Sequence, residues 1–221
     1  VIARFKALPE PVQQEILDEH RDWDVDHGWW DGVYEMFKEE MKGKSIRVDE
    51  MYFSGFWSQG DGACFEGCID DLKEFIEKNG LTEEFAWLLQ LLETDYVRCI
   101  SISCKSHGSY CHEYTMEFDD TFELTHYLDP EDGLIYLSAQ QETEEAEKRW
   151  PDFVDTVEEI FRDHARQLYE YLEKEYDYLT SDEHVLESLH ANDRLEALIE
   201  EHEEEENDED EPTEACPQSL A

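Results

Sequence analysis

Residues 51–67 read MYFSGFWSQGDGACFEG and carry only two charges, Asp61 and Glu66, in a chain of 221 residues whose formal charge is −43. Tyr52, Phe53, Phe56, Trp57 and Phe65 supply the large apolar surface that drives a core. The glycines between them permit tight turns and close backbone approaches. The stretch therefore predicts a strand, a tight glycine turn and a second short strand, forming the hub of the fold.

Working outward, Ile46 and Val48 lead into the first hub strand. Trp30, Val33, Tyr34, Phe37 and Met41 recur at helical spacing up to Gly43. Pro9 and Pro11 open an earlier short helix through Val12, Ile16 and Leu17. Beyond the hub, Ile69, Leu72, Phe75 and Ile76 mark a helix stopped at Asn79-Gly80, and Thr82 is placed to cap another carrying Phe85, Leu88, Leu89 and Leu92. Arg98, Ile100, Ile102 and Cys104 alternate with Cys99, Ser101 and Ser103. After a turn at His107-Gly108-Ser109, Tyr110, His112, Tyr114, Met116 and Phe118 alternate again, which predicts a hairpin extending the hub sheet.

A long helix is expected over 152–176, with Phe153, Val157, Ile160, Phe161, Leu168, Tyr171 and Leu172 as its buried stripe. Thr180 and Glu183 have capping-box spacing, followed by one final helix through Val185, Leu189, Leu195 and Ile199. The predicted class is α+β: a small antiparallel sheet with packed helices, a long C-terminal helical pair, and an acidic disordered tail. Residues 1–199 are read as one domain with a sub-boundary near 141–151, and 200–221 as a flexible tail.

The chain has 60 Asp and Glu against 17 Lys and Arg. Removing the eleven acids between Glu200 and Glu214 still leaves −32, so the charge belongs to the folded body too. Such a field disfavours nucleic acid and anionic membrane as partners and favours a basic protein surface. Asp152, Asp155, Glu159, Asp163, Glu170, Glu173 and Asp177 fall mostly off the apolar stripe, and Asp182 and Glu183 open the next helix. Steps of three or four residues advance about 4.5–6 Å along a helix, against about 3.4 Å per phosphate on one DNA strand. Two such helices approach a duplex in charge density to within about a factor of two. These nine acids are the predicted partner-binding set, with Trp29, Trp30 or Trp23 as apolar anchors. A solvated charged face and halophilic adaptation are the bland alternatives.

Other chemistry is weaker. Cys64, Cys68, Cys99, Cys104, His107, Cys111 and His112 lack the paired two-residue spacing of a zinc knuckle, and alternation puts Cys111 and His112 on opposite strand faces. In Asp22, Asp24, Asp26 and Asp31 the glycine of a calcium loop falls one place late, at Gly28, and Val33 stands where Glu is needed. No nucleophile elbow or Lys-Ser/Thr phosphate cradle occurs. We therefore expect no catalytic, cofactor or metal residues and no enzyme. No apolar run reaches the roughly 18 residues of a membrane span. Six cysteines without a secretory leader fit a reducing cytoplasm, although a start at Val1 leaves room for an initiator or longer leader upstream.

YFSGFWSQGDGACFEG, CKSHGSYCHEYTMEF and EYDYLTSDEHVLESL resemble a family of uncharacterised small acidic proteins of tailed bacteriophages and prophages, over roughly Trp30 to Asn192. The acid-rich extension after Asn192 departs from that pattern. The resemblance transfers no catalytic residue. It implies, by class-level analogy, a counter-defence inhibitor of anti-CRISPR or anti-restriction type, acting in the cytoplasm of an infected bacterial cell. Such a protein would mimic nucleic acid in the basic groove of a host nuclease or CRISPR effector. The alternative is a non-enzymatic acidic module that meets transcription machinery or a basic toxin.

Overall fold

A computed structural model describes residues 1–26, 28–94, 97–106, 110–124 and 133–209, with the backbone alone for 133–142 and 204–209. In chain order the elements are α1 (Ile2–Phe5), α2 (Glu10–Glu19), α3 (Asp31–Gly43), β1 (Ile46–Phe53), β2 (Ala63–Ile69), α4 (Leu72–Lys78) and α5 (Ala86–Leu92). Then come β3 (Val97–Ser106), a 3-10 turn (Glu113–Thr115), β4 (Met116–Leu124), α6 (Gly133–Leu179), α7 (Asp182–Ala191) and α8 (Leu195–Glu209). This is an α+β architecture. It divides into two compact units, one of residues 30–173 and one assembled from both chain ends, 1–29 and 174–221.

In the unit 30–173 the four strands form one antiparallel sheet in the order β1-β2-β3-β4. The hub is a β1–β2 hairpin in which Met51 faces Phe65 and Phe53 faces Ala63. Its connection is a loop from Ser54 to Gly62, longer than the tight turn expected. The tight part is Ser58–Asp61, where the Ser58 N–H donates to Asp61 Oδ2 at 2.6 Å and Gly60 takes φ +97°. The sheet's inner face packs aromatic rings against α3 and α6. Phe65 lies 5.6 Å from Phe37 and stacks on Phe161 at 5.5 Å between ring centres, and Phe122 stacks on Trp150 at 4.5 Å. Tyr52 and Trp57, which the sequence counts toward the core, are instead 38% and 75% exposed.

The second hairpin differs from expectation. Its return arm starts at Met116 and not at Tyr110, because residues 113–115 form a 3-10 turn whose start is closed by His112 and Thr115, the Thr115 hydroxyl donating to the His112 carbonyl at 2.8 Å. Cys111 and His112 therefore do not alternate on a strand. The predicted turn at 107–109 lies outside the described residues.

Helix boundaries also shift. Thr82 does not cap α5, which starts at Ala86 behind Phe85. Pro151 suggests a start near 152, yet α6 runs unbroken from Gly133 through 141–151. An internal proline costs about 3 kcal/mol. Here the neighbouring Trp150 is buried, stacked on Phe122, and donates its indole N–H to Asp120 Oδ1 at 2.6 Å, which holds the chain helical across the site.

The terminal unit buries Phe5, Ile16, Leu17, Val185, Leu189, Leu195 and Ile199 together. Two helices stand where one was predicted. Asp193 adopts φ +57°, and the Arg194 N–H returns to the Leu189 carbonyl at 3.0 Å, the closing pattern of a helix end. The cap of α7 is Ser181, one residue after the predicted Thr180, with its hydroxyl accepting from the His184 N–H. Residues 200–209, expected as disordered tail, continue α8, and Arg4 bridges Glu203 at 2.8 Å and Glu200 at 3.8 Å. Residues 210–221 lie outside the described residues.

Candidate protein-interaction surface

Helix α6 buries Phe153, Val157, Phe161, Leu168 and Leu172 along one face, with Phe161 packed on Phe65 and Phe118 of the sheet. Charge is confined to what remains. At about 100° per residue, Asp152, Asp155, Glu159, Asp163, Glu170 and Glu173 fall within an arc of roughly 80° that extends about 32 Å along the axis. Five of the six are exposed and Glu173 is half-buried.

One cation sits in that arc. Arg166 bridges Glu159 at 2.8 Å, pairs with Asp163, and lies 3.6 Å from Glu113. Hydrogen bonds to Asp163 and Glu159 push its guanidinium well above the ordinary arginine range. Glu113 is the least exposed carboxylate here at 12%, and its other oxygen lies 2.8 Å from His112 Nδ1. The centre of the stripe is therefore internally compensated. Among the described residues no cation pairs with Asp152, Asp155 or Glu173.

The remaining predicted partner-binding residues belong to the terminal unit. Asp177 and Glu183 are exposed, while Asp182 is held by Arg21 at 2.8 Å, an arginine that also donates to the Thr180 carbonyl at 2.6 Å. Asp182 and Glu183 occupy the first turn of α7, where negative charge meets the positive helix end. Trp29 packs edge-on to Tyr176 within this unit, and Trp30, in the other unit, packs edge-on to Phe53. Both are half-buried. Trp23 is 43% exposed beneath the Arg194 guanidinium, 5.3 Å from its ring centre.

The most exposed aromatic groups are ones that the sequence reading assigned to the core or to a strand. Trp57, Tyr114 and Tyr110 are 75%, 72% and 70% exposed. The usable signal was the glycine-bracketed loop around Trp57, where strand alternation stops and a ring has no assured inner face.

Elsewhere, a cleft of about 320 Å³ lies between α5 and α6, with the Arg149 guanidinium 4.8 Å over the Trp87 ring in its wall. Burial pushes the thiols of Cys68 and Cys111 up, and that of Cys104 up to about 12, opposite to the shift of an activated thiol. Among the described residues no group of three His, Cys, Asp or Glu side chains is placed to hold a metal ion. No described helix is long and apolar enough to cross a membrane.

A family model described as a domain of unknown function, DUF8835, matches residues 29–182. The match takes in the whole sheet-bearing unit and leaves α8 and the acidic C-terminus outside it. No curated protein and no solved structure matches the chain.

Proposed function

The chain belongs to the DUF8835 family, and from that premise we propose that it is a non-enzymatic inhibitor that mimics nucleic acid, binding stoichiometrically in the basic groove of a nucleic-acid-binding protein. The observation that carries this reading is the confinement of six carboxylates to one outward arc of α6 in the unit that defines the family. A rigid helix fixes those charges before binding, so little ordering entropy opposes the encounter. A basic groove that receives them sheds the anions it had gathered, as it does when it takes up phosphates. The resemblance of the hub motif to phage proteins makes a defence nuclease or CRISPR effector in the bacterial cytoplasm the first target to try.

The test is displacement. A labelled duplex is bound to a restriction endonuclease or a CRISPR effector, and the full-length chain is titrated against it at rising salt. The expected result is displacement at about 50 mM salt, together with a dissociation constant for the chain and the endonuclease or effector alone, measured by calorimetry, that rises at least tenfold between about 50 and 300 mM salt as screening shortens the reach of each charge. A quadruple Asp152→Asn, Asp155→Asn, Glu170→Gln, Glu173→Gln variant is expected to displace poorly. Direct binding that ignores salt, or a quadruple variant that displaces as well as the native chain, overturns the reading.

A further inference from the structure

Trp57 and Tyr114 have the largest exposures of the described large apolar side chains, at 75% and 72%. They come from separate segments, yet both segments are moored to the same stretch of α6. Phe56, next to Trp57, packs on Tyr169 with ring centres 5.5 Å apart, and the Tyr169 hydroxyl donates to the Gly55 carbonyl at 3.3 Å. Glu113, next to Tyr114, reaches Arg166 at 3.6 Å. Arg166 and Tyr169 are three residues apart, about 4.5 Å along the helix axis.

The two segments also meet each other. A Cβ at Gly62 would lie 3.0 Å from both the Cys111 carbonyl oxygen and the His112 ring, so the hub loop closes directly onto the segment that carries Tyr114. His112 in turn stacks on Tyr114, with ring centres 5.4 Å apart and planes 19° apart. The exposed rings are thus held by packed neighbours and are not on free strands of chain.

A single exposed ring is ordinary, but exposed rings carried by segments that pack on each other and on one stretch of helix form a patch of the kind that marks a contact surface, and Trp and Tyr are enriched among the residues that dominate such contacts. The surrounding charge selects the occupant. Asp61 belongs to the hub loop itself, its carboxylate accepting from the Ser58 N–H, and Glu173 stands about one helical turn after Tyr169, whose ring packs on Phe56 of that loop. Glu159, Asp163 and Glu170 flank them on α6, with Arg166 the one guanidinium of the group. An apolar partner would strand these carboxylates, and an anionic one would be repelled. A guanidinium satisfies both features at once, because its plane stacks on a ring while its edge donates two parallel hydrogen bonds to a carboxylate. Lysine offers the charge without the stacking plane.

We propose that Trp57 and Tyr114 form the docking point for an arginine-bearing segment of the basic partner, with guanidinium groups stacked on the rings and paired with the flanking carboxylates. This rests on the reading that the protein's acids meet a basic protein, and it adds which residue type is read and where.

Calorimetric titration of the full chain with an arginine–serine repeat peptide and a lysine–serine peptide of equal length and charge tests it. The native chain is expected to prefer the arginine peptide several-fold. Trp57→Ala with Tyr114→Ala is expected to weaken arginine-peptide binding about tenfold, within reach of two cation–π contacts, and to abolish the preference. Asp152→Asn with Asp155→Asn should weaken both peptides alike. Equal affinity for the two peptides, or a ring variant that binds like the native chain, overturns the docking point while leaving the basic-partner reading intact if the acid variant still weakens binding. Failure of both peptides to bind at low salt removes both. Circular dichroism checks that the ring variant folds, and Trp57→Leu alone, with about a threefold loss expected, keeps the test decisive if it does not.

Discussion

Replacing Gly67 with alanine should be among the most damaging single-methyl additions in the sheet. Gly67 sits on β2, paired with Val48 on β1 and with Cys104 on β3, so it is central in the sheet. The β1 register shifts between Val48 and Glu50, and this bulge turns the Arg47 carbonyl over the glycine. A Cβ built at Gly67 would lie 2.1 Å from that oxygen, about 1.3 Å inside the 3.4 Å at which ordinary contact begins, with Arg47 C at 3.1 Å and Val48 Cα at 3.3 Å behind it. All three atoms are backbone, so no side chain can swing aside. The strand must move, at the overpacking cost of about 1–3 kcal/mol plus about 0.5–1.5 kcal/mol for each ladder hydrogen bond lost.

We expect about 2–4 kcal/mol of destabilisation in Gly67→Ala. In urea melts followed by tryptophan fluorescence, that shifts the midpoint down by roughly 1 M or more at a slope of about 2 kcal/mol/M. Gly32→Ala is the control: it lies in the first turn of α3 with nothing within 4 Å of its added methyl, and should be neutral to stabilising by up to about 1 kcal/mol. If Gly67→Ala melts with the native chain, the bulge over Gly67 is wrong and the hub hairpin must be paired in another register.

Two further outcomes concern pH. His164 is 7% exposed on the buried side of α6, and burial, together with nearby Lys44, lowers its pKa despite the hydrogen bond to Gln167 and the acids Glu40 and Asp163. The native state keeps the ring neutral, so the unfolded chain takes up the proton first and stability is lost as pH falls through the ordinary value of 6.5 toward the lower native one. His164→Gln should flatten the acid-side slope of midpoint against pH relative to the native chain, and an unchanged slope would exclude His164 as its source. Cys104 is 2% exposed with its thiol pushed up to about 12, mainly by burial, from an ordinary 9.0. Its contribution is intact below pH 9 and is lost as pH rises toward 12. At pH 8, iodoacetamide should label exposed Cys99 long before Cys104 in the native chain, read by peptide mass spectrometry, and equal labelling would contradict the burial.

Elements whose own residues settle their conformation were legible in the sequence. The β1–β2 hairpin, α3 and α4 follow from alternation or helical spacing bounded by glycine or asparagine, and the acids of α6 separate from its apolar stripe by period alone. What failed was decided by partners distant in sequence. Pro151 reads as a helix start, and only the docking of Trp150 onto Phe122 and Asp120 keeps α6 continuous through it. The run Tyr110, His112, Tyr114 alternates like a strand, but Thr115 and His112 close a 3-10 turn there and β4 starts later. Trp57 reads as core because it is large and apolar. Its exposure follows from a loop whose hydrogen bonds, Ser58 N–H to Asp61 and the Ser54 N–H to the Gly62 carbonyl, leave no inner face at that position. The division at Glu173/Lys174 carries no compositional break at all, since it cuts across a helix of uniform character, and the one at Trp29/Trp30 falls between two tryptophans just ahead of α3.

The formal charge of −43 exceeds what solubility in ordinary buffer asks. A net charge of about 2–8 in magnitude keeps a small domain in solution, and every further carboxylate adds self-repulsion to the folded state. Were the α6 surface only a wetted face, alternating signs would serve it better, since oppositely charged residues three or four apart stabilise a helix while like ones oppose it. Between Asp152 and Glu173 the outward arc holds six acids and one cation, and that cation is spent on Glu159, Asp163 and the half-sequestered Glu113 that anchors the Tyr114 segment. Arg166 therefore fixes the ring-bearing turn to the helix near the middle of the acidic arc, trading local charge for a positioned aromatic. A surface selected for solubility has no use for that exchange. A surface that presents rings and carboxylates in one fixed arrangement to a basic partner, as proposed, would use it.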